Sequence, residues 1–317
     1  MAFKQCISLF FIQNIQQKMN KKNTSTLIRL IVWLAFMGLL TLGAIGVWAL
    51  FPDRTSVVSL KWLQFLQTLA MFFLPPLLMA FFCCEKPLQW LHLDRGMKWQ
   101  TALFAIVLML CAIPGINLLS YLNQQLTLPA FLEPLEALMR SQEDAANQLT
   151  EQFLQVNGIG GLLINVGLMA LLPAMSEELT FRGTIQSFFA NSPDSNGVFT
   201  YAKSLSVRTK IGIWATAIIF SFVHFQFYGF VPRMLMGAMF GYMLAWTGSL
   251  WVPMLMHFTN NAMAVLSYYI TYNYSLDPDS LDSIGTSSTL WLGILSILLV
   301  LTALICYPHY LQKQANK

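Results

Sequence analysis

Long apolar runs recur along this chain and leave little choice of fold. A helix that crosses a hydrocarbon core needs about 20 consecutive, mostly apolar residues, and about eight runs meet that need. They cover about Leu27 to Phe51, Trp62 to Cys84, Thr101 to Leu122, Ile159 to Glu177, Ile211 to Phe227, Pro232 to Trp246, Leu250 to Ile270 and Leu290 to Tyr307. The expectation is an all-α, polytopic membrane helical bundle of about eight transmembrane helices. Composition agrees: 10% of the 317 residues are charged and 56% are hydrophobic, against about 25% charged in a soluble domain. A soluble domain carried by one anchor is therefore excluded. A multi-pass integral protein of the plasma membrane, with the lipid bilayer as its surroundings, is the expected setting.

Basic residues fall between the runs. Lys4, Lys18, Lys21, Lys22 and Arg29 precede or open the first. Lys86, Arg95 and Lys98 lie between the second and third, Arg182, Lys203, Arg208 and Lys210 follow the fourth, and Lys313 and Lys317 end the chain. With alternating spans, all four groups fall on one side, which the positive-inside rule makes cytoplasmic, together with both termini. The opposite side receives Glu133, Glu136, Glu143, Asp144, Glu151, Asp277, Asp279 and Asp282. No basic stretch interleaved with aromatics is present, so nucleic acid is not an expected partner. The first run exceeds the roughly 7–15 apolar residues of a signal peptide and reads as a retained anchor. Met19, before Lys21 and Lys22, is a second candidate start. The five cysteines form no CxxC or Cys/His zinc pattern and read as small packing residues.

Between the third and fourth runs, Leu128, Phe131, Leu132, Leu135, Leu138 and Met139 recur at helical spacing with acids between them. This predicts an amphipathic helix on the membrane or capping the bundle. Gly237 and Gly241 form a GxxxG that reads as close helix packing, and Thr247-Gly248-Ser249 as a tight turn. The chain thus divides into a cytoplasmic tail (1–26), N-terminal spans with the amphipathic connection (27–158), a core (159–272) and a last span with its tail (273–317).

The core carries charges where hydrocarbon disfavours them. Glu177, Glu178 and Arg182 end the fourth run, and His224 and His257 each stand inside a later one. Ionisable groups in membrane spans are costly and mark functional sites. Glu178 and Arg182, four apart with the acid first, stack on one helix face and neutralise each other. Glu177 points about 100° away and is free to act as a general base. Asn261 lies one turn after His257, so the two can donate jointly to a developing oxyanion or serve as interhelical glue. Counting rise per residue puts Glu177 and His257 in one leaflet and His224 deeper. A charged cytoplasmic helix end is the bland reading of Glu177, Glu178 and Arg182.

Glu177-Glu178-x-x-x-Arg182, Phe220-x-x-x-His224 and His257-x-x-x-Asn261, in that order on successive helices, resemble the type II CAAX prenyl endopeptidase family, also called the CAAX protease and bacteriocin-processing family. Phe181-Arg182-Gly183 adds to the match, which covers about Leu171 to Ala264. The resemblance implies an intramembrane endopeptidase. In it Glu177 activates water with help from His224, Glu178 and Arg182 place that glutamate, and His257 with Asn261 forms the oxyanion hole. It implies a membrane-associated peptide or protein as substrate, lipidated in some relatives, and no cofactor. The alternative is a His₂Glu zinc site of Glu177, His224 and His257. A non-catalytic peptide-binding or bacteriocin self-immunity protein using the same cavity is the competing function. A proton-coupled transporter is disfavoured by the lack of repeat symmetry. Glu177, His224, His257 and Asn261 are expected to converge on one cavity open to the cytoplasmic side.

Overall fold

The computed structural model describes residues 25–189, 205–276 and 283–315. Cys6, Met19, Lys203 and the acids Asp277, Asp279 and Asp282 lie outside them. Every regular element among the described residues is helical. The main ones are α1 (Thr26–Trp48), α2 (Val57–Cys83), α3 (Trp99–Gln124), α4 (Glu133–Leu154), α5 (Gly158–Phe189), α6 (Val207–Phe222), α7 (Phe230–Thr247), α8 (Trp251–Asn273) and α9 (Leu290–Ala315).

Five helices are long and apolar enough to cross a membrane: α1, α2, α3, α5 and α9. The three other expected runs are also helical. The 16 residues of α6 span about 24 Å, short of the roughly 30 Å hydrocarbon core. In α7 and α8, residues such as Arg233, His257, Asn260 and Asn261 dilute the apolar content. Outward faces are apolar, as lipid requires: Leu42, Leu298 and Ile305 are exposed. Cys111 and Cys306 share that exposure, whereas Cys83 and Cys84 are buried as packing residues.

The chain divides into two compact units, Met1–Arg95 and Gly96–Lys317. In the first, α1 packs on α2. Pro75 and Pro76 lack the N–H groups that an α-helix needs there, and the turn before them, Leu69–Phe73, widens to a π-helix. Ser25 and Ser56 cap the two helices through their hydroxyl oxygens.

In the second unit α3 packs on α8 and α9, and Phe104 stacks on Tyr307 at 4.3 Å. Pro114 interrupts the α3 ladder, and Ser296 of α9 inserts there. Its Oγ accepts from the Gly115 N–H at 3.0 Å and donates to the Cys111 carbonyl at 2.5 Å. The expected tight turn between α7 and α8 is formed by Gly248, in the left-handed region at φ 66°, with its N–H on the Leu244 carbonyl. The amphipathic connection forms α4, longer than the apolar spacing alone marked. The carboxylate of Glu143 on α4 accepts the Tyr228 N–H at 2.9 Å, and the Arg140 guanidinium lies 4.1 Å over the Tyr228 ring. Its C-terminal half meets α8, where the Tyr268 hydroxyl donates to Glu151.

Candidate active site

The fourth run does not end at Glu177. The helix continues through Arg182 to Phe189, and residues 179–186 are all buried. The charged trio therefore sits inside a helix, which overturns the bland reading of a helix end. Two π-helical stretches, Val166–Leu171 and Leu179–Ile185, flank the short α segment Leu172–Glu178. Such widened turns re-aim side chains and recur at functional sites. Pro173 accounts for the first: it offers no N–H to the Met169 carbonyl four residues earlier. That carbonyl instead receives Nδ2 of Asn261 at 3.4 Å.

Glu178 and Arg182 form the predicted pair, Oε1 to Nη1, at 2.7 Å with both side chains fully buried. The same Glu178 oxygen accepts Nδ1 of His257 at 2.9 Å. Arg182 also lies 4.3 Å over the Phe220 ring, and its Nη2 donates to the Gly237 carbonyl at 3.1 Å. One turn on, Gln186 Nε2 donates to the Gly241 carbonyl at 3.1 Å. The GxxxG is thus more than a close contact, because it presents two carbonyls to two polar side chains spaced four apart on α5. A Cβ at Gly241 would stand 2.7 Å from Gln186 Oε1 and 2.9 Å from Ile213 Cγ2.

Glu177 is 17% exposed, and its Oε2 is buried without a hydrogen-bond partner among the described residues. Two ring nitrogens face that oxygen, Nε2 of His224 and Nε2 of His257, each at 3.9 Å. His224, expected deeper than Glu177, stands beside it. Nδ1 of His224 meets the Phe220 carbonyl at 2.7 Å. An Nδ1–H donated there leaves Nε2 as a lone pair toward Glu177. Phe220 and Phe240 set the two rings: Phe220 meets His224 edge-on at 5.1 Å, and Phe240 stacks on His257 at 5.5 Å. His224 is followed directly by Phe225 with φ 53°, a left-handed conformation rare for an aromatic residue.

Residues 159–263 match the family model of the Rce1-like type II CAAX prenyl endopeptidases. The matched stretch holds Glu177, Glu178, Arg182, His224, His257 and Asn261. A segment of 99 residues is 30% identical to the "Uncharacterized protein YpbD" of Bacillus subtilis (strain 168). It covers 30% of this chain and 41% of that protein, so the chain spans about two fifths of the relative's length. No solved structure matches.

Asn261 is the less converged member. It bonds to Met169 and to its neighbour Asn260, and to none of Glu177, His224 or His257 among the described residues. Ligand atoms of a tetrahedral zinc at 2.0–2.1 Å lie about 3.4 Å apart, closer than the 3.9 Å from Glu177 to either ring. No three metal-ligating side chains group tightly enough to hold an ion among the described residues. The residues therefore do not fit zinc as arranged.

Sequence reasoning missed Gln186, Phe240 and Arg233. Gln186 had a signal: it repeats the Arg182 position one turn later, at the spacing of Gly237 and Gly241. Phe240 had none, since one phenylalanine among 24 carries no mark.

Proposed function

We propose that this chain is an intramembrane endopeptidase that hydrolyses a peptide bond in a membrane-associated peptide or protein. The observation that carries the reading is the under-bonded Oε2 of Glu177, faced by two ring nitrogens at 3.9 Å. That separation is too long for a direct hydrogen bond, and one water oxygen can touch both Glu177 and His224. Glu177 takes a proton from this water while Nε2 of His224 orients it, and the oxygen attacks the scissile carbonyl carbon. The oxyanion forms beside His257 Nε2 and the second N–H of Asn261 Nδ2. The proton held by Glu177 then passes to the leaving amine.

His257 donates from Nε2 when its ring is doubly protonated, with Nδ1–H still given to Glu178. Glu178 and Arg182 position the site without touching substrate. In the same reading α6, α7 and α8 complete an eight-span bundle in the plasma membrane, with both termini cytoplasmic and the site reached from that side.

The test compares protein C-termini and membrane-associated peptides in cells expressing equal amounts of wild type and Glu177→Ala. Termini that vanish with the variant establish the peptidase and identify its substrate. A phenotype that persists in the variant with no change in termini would replace it with a non-catalytic binding or bacteriocin self-immunity role.

A further inference from the structure

The site contains a second arginine, and its charge is not neutralised by an ion pair. Arg233 stands in the first turn of α7, half-buried. Its Nη2 donates to Gln226 Oε1 at 2.9 Å and its Nη1 to the Gln226 carbonyl at 3.3 Å. Gln226 lies two residues after His224, so the clamp fixes the guanidinium to the turn that carries the histidine. A guanidinium has five N–H donors. Among the described residues the other three have no acceptor, and no carboxylate lies within 4.0 Å. The two other arginines of this unit that meet acids differ: Arg182 is paired with Glu178, and Arg140 with Glu136, each at 2.7 Å.

Arg233 nevertheless belongs to the site electrostatically. Glu177, His224 and Glu143 all lie within reach of its charge. Glu143 is already engaged by the Tyr228 N–H, and Glu177 is the base of the proposed reaction. A half-buried cation with spare planar donors, beside a catalytic carboxylate it does not pair with, is arranged to receive an anion from outside the chain. The fork matches a carboxylate, which it can bind through two parallel N–H groups.

We propose that Arg233 binds a carboxylate of the peptide near the scissile bond and so determines specificity. This rests on the peptidase reading for its place in a reaction, but the binding step can be measured without turnover. The carboxylate is either the peptide's C-terminus or an Asp or Glu side chain, and the experiment separates the two.

A randomised peptide library is prepared in two forms, C-terminal acid and C-terminal amide. Each is captured on detergent-solubilised full-length Glu177→Gln protein and read by mass spectrometry, with Arg233→Gln and Arg233→Lys added on the same background. Peptides with a C-terminal acid, or with an acidic residue at one position, should be enriched roughly 10- to 100-fold, as a hydrogen-bonded charge contact allows. Arg233→Gln should abolish the enrichment and Arg233→Lys restore part of it. Each variant must elute as a single peak and melt within a few degrees of its parent. Enrichment of C-terminal acids alone assigns the terminus, and enrichment that survives amidation assigns a side chain. Equal capture of acidic and neutral peptides, or enrichment that persists in Arg233→Gln, would overturn the proposal. Enrichment that depends on Arg233, with no cleavage by wild type, would keep this site and overturn the peptidase.

Discussion

Glu177 and Glu178 are chain neighbours with opposite fates. Glu178 points into the packed half of the site, where Arg182 and His257 share one of its oxygens and exposure is nil. Glu177, turned by about 100°, keeps 17% exposure; its Oε2, like Oε2 of Glu178, has no hydrogen-bond partner among the described residues, but two imidazoles stand off from it at 3.9 Å. The difference shows how one helix can supply both a fixed frame and a reactive group. Charges tied by charge-assisted bonds hold geometry, whereas a carboxylate without such a bond keeps its lone pairs for a water.

The comparison breaks most directly at Glu177. Glu177→Gln should lower cleavage by about 10²- to 10⁴-fold, the usual contribution of a general base, while the melting temperature in detergent stays within a few degrees. A large loss of thermal stability would show that Glu177 is structural and erase the distinction. Arg182→Met attacks the packed half, leaving Glu178 buried without its cation. Breaking such a pair costs about 3–5 kcal/mol, so the variant should unfold or aggregate on heating well before wild type, with activity lost as a consequence.

A buried histidine outside the site sharpens the contrast by pH. His92 is 7% exposed, and burial, aided by the nearby Arg95, pushes its pKa down to about 4. Between pH 6.5 and 4 the unfolded chain takes a proton that the folded one refuses, so stability falls as pH is lowered through that window. The total is about 3 kcal/mol for a shift of this size. Urea unfolding at pH 7 and pH 4.5 should show this loss, and His92→Asn, which tolerates the positive φ of this residue, should flatten it. The smallest effect is expected at the helix seam. Gly241→Ala forces Gln186 or Ile213 aside and should cost about 1–3 kcal/mol, read as a lowered melting temperature. An unchanged value would mean that the Gln186 contact contributes nothing to the frame.

Much of the fold was legible because it follows from chain-local physics. Apolar runs of membrane length had to be helices, the Gly248 turn was marked by its glycine, and α4 by its apolar spacing. Within the site, the Glu178–Arg182 pair followed from a four-residue separation on one helix, and the divergence of Glu177 from the 3.6-residue repeat. The length of α5 was not legible. A charged stretch after an apolar run looks like a helix end, and only burial against α6 and α7 keeps residues 179–186 helical and out of water.

The sequence by itself determined that this protein is helical, apolar on its outer faces, and in possession of six polar residues that a membrane bundle tolerates only for a purpose. Those are consequences of composition and periodicity, which act over a few residues. Tertiary structure alone decided which nitrogen of His257 is spent on Glu178, that Nε2 of His224 faces Glu177 at 3.9 Å, and that Arg233 lies near them with no carboxylate within 4.0 Å among the described residues. Each depends on atoms 40 to 80 residues apart in the chain, brought within ångströms by helix packing and by π-turns whose extra residue no local pattern announces.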